Sequence, residues 1–264
     1  MRYVSVPGLL GRRFTAALAL SFIVLFAIGA AAQEAPPTPE EVERDLGNYL
    51  DQKIENYILN HPEVIITALR AYQDQQRRAE EQKVKGTIQS RRDELFKDPG
   101  SPVGGNPDGD VTLVEFFDYN CPYCRRVVPV MKELQEKDPQ VRIVYKEFPV
   151  LGPVSVFASR AALAAREQDK YLPFHDALMQ IDDRLTEEMV MTAAKQVGLD
   201  IDKLKKDMAN PALNDILARN RALADELSVS GTPSFVVGDN FLGGAASLAT
   251  IEDLVAQARQ TAQQ

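Results

Sequence analysis

The chain contains two cysteines. Cys121 and Cys124 are separated only by Pro122 and Tyr123. Two thiols at this spacing can close a disulfide, pass electrons by thiol–disulfide exchange, or supply half of a metal site. Which of these applies depends on what holds the pair and where the chain works. Val111–Phe117, ahead of the pair, is apolar, β-branched and aromatic, which predicts a strand. Beyond it Val127, Val128, Met131 and Leu134 recur at three- and four-residue spacing, which predicts a helix. The cysteines therefore fall where a strand hands over to a helix. A helix N-terminus offers unpaired N–H groups and a positive dipole end, and both favour thiolate over thiol.

The start of the chain sets the compartment. Arg12 and Arg13 precede an almost wholly apolar run, residues 14–32, that closes on Ala30-Ala31-Ala32. This reads as a signal peptide, residues 1–32, cleaved after Ala32. The alternative is an uncleaved anchor, because the run is about as long as a bilayer span. Either way the rest of the chain is exported, and a periplasmic location is expected. In an oxidising compartment disulfide chemistry leads over a zinc half-site. The pair would be a poor staple, since the loop it closes is tiny, so reactivity explains it better. No other cysteine is present, and His61 and His175 lie far off in sequence, so no metal and no cofactor are expected. A net charge of −8 argues against nucleic acid as a partner.

Residues 33–39 form a proline-rich linker. Thr38, Pro39 and Glu41 then read as a capping box with proline at the first helical position. Leu46, Leu50, Ile54, Tyr57 and Ile58 give one apolar face, and after a second start at 60–63, Val64, Ile65, Ala68, Leu69 and Tyr72 give another. Residues 73–83 are almost entirely polar, as in a stalk, and Val84, Ile88, Leu95 and Phe96 resume sparse apolar positions. A Pro/Gly/Asp cluster, 98–110, reads as a linker and domain boundary. Residues 33–97 are thus expected to be a linker and helical arm outside the cysteine domain. Two short helices cannot bury much surface alone. They are expected to pair with copies of themselves, the alternative being to fold back on the main domain.

Past the cysteines, 141–148 reads as a second strand, and 154–227 as a helical block with Thr186 as one cap. Ser230-Gly231-Thr232-Pro233 breaks the pattern. Residues 234–237 and 241–242 make a hairpin about Gly238-Asp239-Asn240, and a final amphipathic helix runs through Leu248, Ile251, Leu254, Val255 and Ala258. Strand, helix, strand, helical block, hairpin and helix make an α/β chain with a thioredoxin-like core over 111–264, an inserted helical domain at about 154–227, and a helical arm in front.

The CPYC motif after a strand, Thr232-Pro233 before a late strand, and Glu115-Phe116-Phe117 ahead of the cysteines resemble the thioredoxin superfamily. Within it the inserted helices make the chain similar to the DsbA-like thiol–disulfide oxidoreductases. The arm resembles the ScsC (suppressor of copper sensitivity protein C) and Com1-type branch. The resemblance implies a periplasmic enzyme, in some members a trimer built through the arm and active as a disulfide isomerase. It implies a cis Thr232-Pro233 bond opposite the cysteines, leaving the Thr232 backbone for an extended substrate. It also implies that Glu115 is a partly buried acid behind Cys124 that relays protons, and burial would raise its pKa. On alternation alone Glu115 would face solvent. Pro-Tyr replaces the Pro-His of the strongly oxidising relatives, so their oxidising strength does not carry over.

In this reading Cys121 attacks a substrate disulfide and Cys124 resolves the mixed disulfide. Pro122 starts the helix and shapes the loop between the sulfurs. Tyr123 is either a contact for substrate or thiolate, or a packing residue. Asp118 is placed on an exposed loop, and His175 is given no role. The expected partners are exported proteins with disulfides or thiols, a membrane redox partner, and further copies of the chain through residues 38–97, as a trimer. The competing functions are an isomerase kept reduced, an oxidase kept oxidised, and a copper-binding or holdase protein using both sulfurs as soft ligands. Thr232-Pro233 counts against the last.

Overall fold

The computed structural model describes residues 37–262, so the signal-peptide reading lies outside the described residues. The chain divides into two compact units between Ile65 and Ile66. In the first, helix α1 spans Pro39–Asn60. Thr38 caps it: its hydroxyl accepts the Glu41 N–H, and the Glu41 carboxylate accepts the Thr38 N–H at 2.8 Å. No residue of α1 is buried. Leu46, Leu50, Ile54 and Tyr57 are each about half exposed. Helix α2, Glu63–Ser90, begins in this unit and continues without a break through the polar stretch 73–83. Among the described residues no helix is long and apolar enough to cross a membrane.

The second unit is built on a five-stranded sheet. In chain order its strands are β1 (Val103–Gly105), β2 (Val111–Phe117), β3 (Val141–Glu147), β4 (Ser234–Val237) and β5 (Asn240–Gly243). They lie in the order β1-β3-β2-β4-β5. β2 and β3 are parallel, with Glu115 opposite Tyr145 and Phe117 opposite Glu147. A parallel pair needs a crossover, supplied by α4, Pro122–Lys137. β4 pairs antiparallel with β2, and β5 with β4.

Helices cover both faces of the sheet. One face of β2 buries Val111, Leu113 and Phe117 with Val127, Met131 and Leu134 of α4 and Ile251 and Val255 of the last helix, α10 (Leu248–Ala262). Between β3 and β4 run α5 (Pro153–Ala164), a short 3₁₀ turn, α6 (Tyr171–Met179), α7 (Glu187–Gln196), α8 (Ile201–Met208) and α9 (Ala212–Glu226). Most of that block packs on the same face. The other face buries Val114, Phe116, Val144, Phe148 and Val236 under Leu223, Ala224 and Leu227 from the end of the block.

That second face corrects the domain boundary. Val84 and Ile88 of α2 and Leu95 and Phe96 of α3 (Arg92–Phe96) are buried in it. The expected linker, 98–110, contains β1, which pairs with β3 from Val103↔Val144 to Gly105↔Arg142. Side chains hold this connection down. Lys146, fully buried, donates to the Glu94 carbonyl at 2.7 Å and to the Asp98 carboxylate at 2.8 Å. Arg142 donates to the Phe96 carbonyl, and Arg166 to those of Pro99 and Gly100. A buried ammonium is tolerated only with such partners, so the pairing fixes the segment to the sheet. The glycines belong to this seating: Gly105 has a φ of +64°, and a Cβ there would collide with the Val141 carbonyl.

Candidate active site

β2 ends at Phe117, and the turn Asp118–Cys121 is closed by the Cys121 N–H donating to the Asp118 carbonyl at 3.0 Å. α4 then begins at Pro122, where the missing N–H costs nothing and φ is already helical. Cys121 is the N-cap, with extended backbone at φ −81° and ψ 115°. Its sulfur faces the N–H groups of Tyr123 and Cys124 without forming a regular capping hydrogen bond. The larger effect comes from the Cys124 thiol, which hydrogen-bonds to it. With a smaller contribution from the Thr232 side chain, these donors pull Cys121 from 9.0 down to about 5, against the opposing effect of burial. As a thiol, Cys121 donates to the Thr232 carbonyl at 3.1 Å, a contact that favours the protonated form and is outweighed.

Cys124 lies one turn further in and is completely buried. Burial raises its thiol far above the ordinary range, and so does donating to Cys121; the negative charge of Glu115 adds to this. The Asp118 backbone N–H facing its sulfur opposes these effects. The two sulfurs are therefore sharply unequal. One is a thiolate at neutral pH, and the other holds its proton until something removes it.

Glu115 is buried on the face of β2 that carries Leu113 and Phe117. The solvent-facing alternative drawn from alternation fails because both faces of the sheet are covered. Burial, and then the charge on Cys121, raise its carboxyl to about 8. A cavity of about 110 Å³ reaches it, lined also by Val128, Met131, Lys132, Tyr145 and His175. The Thr232–Pro233 peptide bond is cis. It immediately precedes β4, the strand beside β2, which brings the Thr232 carbonyl to Cys121. Tyr123 is half exposed with the Arg126 guanidinium 5.0 Å above its ring, so it is not a core residue.

A family model described as a DSBA-like thioredoxin domain matches residues 112–256. The chain belongs to the DSBA-like thioredoxin domain family. Among solved structures, a thioredoxin-like oxidoreductase from Silicibacter pomeroyi DSS-3 is 51% identical, covering 64% of this chain and 98% of its own, with a TM-score of 0.63. The catalytic domain of Proteus mirabilis ScsC is 31% identical over 67% of this chain and 98% of its own, at a TM-score of 0.61. A longer form of that ScsC, carrying a linker deletion and a point mutation, covers 86% of this chain and 99% of its own, at 26% identity and a TM-score of 0.65. Among curated relatives, a Na(+)/H(+) antiporter, NhaA 3 of Salinispora tropica, is 34% identical over 137 residues. That match covers 51% of this chain and spans about a fifth (21%) of the antiporter's length.

This DsbA-like domain also holds residues that the sequence reading misplaced or passed over. Asp118 is not on an exposed loop. It is fully buried, and its carboxylate accepts the N–H groups of Asn120 at 2.7 Å, Val150 at 2.8 Å and Leu151 at 2.9 Å. The signal was present in the sequence, since Asp two residues before Asn in a turn is an Asx-turn pattern. Glu147 is a second buried acid. It accepts the hydroxyls of Tyr119 at 2.9 Å and Tyr171 at 2.8 Å, and burial raises it to about 8. His175 is buried beside Tyr119, 3.2 Å from its hydroxyl, and burial lowers it to about 4, so the ring is neutral at pH 7. These three residues come from separate elements, and no local pattern joins them.

Proposed function

We propose that the protein is a periplasmic thiol–disulfide oxidoreductase that acts as a protein disulfide isomerase on misoxidised exported proteins. The observation that carries the chemistry is the inequality of the two sulfurs, with Cys121 drawn down to about 5 and Cys124 held protonated. The Cys121 thiolate attacks one sulfur of a client disulfide. The client S–S bond breaks, a mixed disulfide forms, and the other client sulfur leaves as a thiolate. In isomerisation a client thiolate then attacks the mixed disulfide, the client gains a new disulfide, and Cys121 returns as thiolate. When the client is slow to do so, Cys124 attacks Cys121 and releases the client reduced; its proton passes to Glu115, which ionises more easily in the mixed disulfide because the Cys121 charge that helps hold it neutral is gone. The enzyme is left oxidised, and a membrane redox partner restores the dithiol. Thr232 and Pro233 provide the edge on which an extended client lies, and exposed Tyr123 touches it.

Self-association supports the isomerase reading. In the first unit Val42, Leu46, Leu50, Ile54 and Tyr57 are all about half exposed, and apolar side chains left uncovered at helical spacing mark an interaction face. We assign it to other copies of the chain, as a trimer, so that several dithiols serve one client. The longer ScsC form covers 86% of this chain, against 67% for the ScsC catalytic domain alone.

The test is reactivation of scrambled ribonuclease by the reduced protein. Recovery of activity is expected, and loss of that recovery in Cys121→Ser. No recovery with the intact protein refutes the isomerase. One observation favours the reverse direction. A stabilised thiolate favours the reduced protein, which makes the disulfide a stronger oxidant. The activities of the two redox forms decide between the two. Reactivation of scrambled ribonuclease by the dithiol form supports the isomerase, and net oxidation of reduced ribonuclease by the disulfide form without that reactivation supports the oxidase.

A further inference from the structure

The turn that carries Cys121 is tied sideways as well as along the chain. Asn120, the residue before the nucleophile, uses both ends of its amide. Its Oδ1 accepts the Leu185 N–H at 2.9 Å, and its Nδ2 donates to the Ser155 hydroxyl at 3.0 Å. Ser155 is fully buried in the first turn of α5, and Leu185 is buried just before α7. The two anchors are separated by a long stretch of helical block, yet one side chain holds both. Neighbouring ties point the same way. Asp118 grips the Val150 and Leu151 N–H groups. Arg125, on the first turn of α4, donates to the Tyr119 carbonyl and to those of Asp182, at 2.8 Å, and Asp183, at 3.0 Å. The β3–α5 connection and the α6–α7 connection are thereby both fastened to the short turn that delivers the sulfur.

We propose that Asn120 is the positioning residue for the nucleophile: by bridging Ser155 and Leu185 it fixes the Cys121 backbone in its cap geometry, so that the sulfur stays on the helix N-terminus and at the Thr232 carbonyl. Asn120 touches no reacting atom in this role. Its amide is suited to the task because it accepts at one end and donates at the other, whereas the partners are a backbone N–H and a hydroxyl. Cys121 also feels Cys124, one turn into α4, and, through charge, Glu115 on β2. Asn120 acts from the helical side and adds no charge of its own. Loosening it lets the sulfur leave the N–H groups that favour its ionised form, and reactivity falls without any change in the two sulfurs themselves.

The inference rests on Cys121 being the nucleophile, and the experiment keeps the two apart. Full-length reduced protein is alkylated with iodoacetamide across pH 4–9, and the pH–rate profile of Cys121 is compared among wild type, Asn120→Ala and Ser155→Ala. Ser155→Ala cuts one tie from the far side and leaves the residue beside Cys121 untouched. An upward move of the profile midpoint by about one pH unit is expected in both variants. That corresponds to about a threefold slower reaction at pH 5.5. Asn120→Asp keeps both ties, since Asp accepts from the Leu185 N–H and from the Ser155 hydroxyl. It is expected to retain the wild-type thermal unfolding midpoint. An unmoved profile in Asn120→Ala overturns the proposal, and so does a move in Asn120→Ala that Ser155→Ala does not share. Cys121→Ser is the separate control: if that variant still reduces insulin, the assignment of the nucleophile fails, whatever the Asn120 result.

Discussion

Replacing Glu115 by glutamine should stabilise the protein while impairing it, and the size of the gain should depend on pH. The buried carboxyl stays neutral in the fold up to about pH 8, whereas its ordinary value is 4.5. Its folded value is raised, so the stability tied to the neutral acid is complete below pH 4.5 and is lost as pH climbs through about 8. Between those limits only the unfolded chain ionises. Each pH unit in that window costs the wild type about 1.4 kcal/mol. At pH 7 the accumulated cost is roughly 3 kcal/mol, and at pH 8 roughly 4 kcal/mol. Glutamine has nearly the same shape and no such cost. Its buried NH₂ takes back on the order of 1 kcal/mol unless water in the adjoining cavity satisfies it. For a domain of this size a net gain of about 2–3 kcal/mol at pH 7 raises the melting midpoint by roughly 4–12 °C. Urea unfolding of the reduced wild type and Glu115→Gln, followed by far-UV circular dichroism at pH 4.5, 6, 7 and 8, measures it. The two proteins should agree to within about 1 kcal/mol at pH 4.5 and separate steadily above it. A gap that is constant across the series, or one that moves against the variant as pH rises, refutes the reasoning. The same variant should resolve mixed disulfides more slowly, because glutamine cannot take the Cys124 proton.

Three further outcomes are expected. Absorbance of the reduced protein at 240 nm should titrate with a midpoint near 5, and Cys124→Ala should shift it upward because the Cys124 thiol is the largest stabilising contact; a wild-type midpoint near 9 refutes the cap geometry. Lys146→Met should destabilise by about 1–3 kcal/mol in urea melts, because Asp98 and the Glu94 carbonyl lose their charged donor while Asp98 keeps those of Gly100 and Ser101, while Lys146→Met with Asp98→Asn should recover part of the loss. Removing residues 33–72 should give a folded monomer by light scattering, and a full-length protein that is already monomeric refutes the self-association reading.

What the sequence made readable was local. The β-branched run 111–117, the 3.6-residue period of α4, the Thr38 capping box and the Gly-Asp-Asn turn each specify themselves within a few residues, and each stands where the pattern puts it. β1 was not readable, because Val103-Gly104-Gly105 has no side-chain pattern and becomes a strand only by pairing with β3. The burial of Glu115 was hidden for a related reason. Alternation assumes that one face of a sheet is wet, and here α4, α10 and much of the helical block cover the face that carries Glu115 while α2, α3 and α9 cover the other. The same cover misled the reading of the arm. Val84, Ile88, Leu95 and Phe96 look sparse along the chain because their partners, Val114, Phe116, Val144 and Phe148, lie in other elements. A truncation through residue 97 would strip that face, so the deletion that tests self-association has to stop before it.

Two buried acids, both raised to about 8, lie on the same face of neighbouring strands. Only one of them is placed to move a proton. Glu147 is held by two tyrosine hydroxyls, and its backbone carbonyl accepts the Asn220 amide. Those bonds build it into a network that joins β3, α6, α9 and the residue two positions before Cys121. Glu115 has no hydrogen bond from a side chain among the described residues, and its charge acts on both sulfurs. Its cavity passes Tyr145 and His175 towards Lys132, Gln135 and Asp176 at the surface. An acid that must collect the Cys124 proton and return it to solvent needs a charge that acts on that sulfur and a route outward, and Glu115 has both. The raised pKa is common to both acids and so cannot identify the relay; the difference in their partners does.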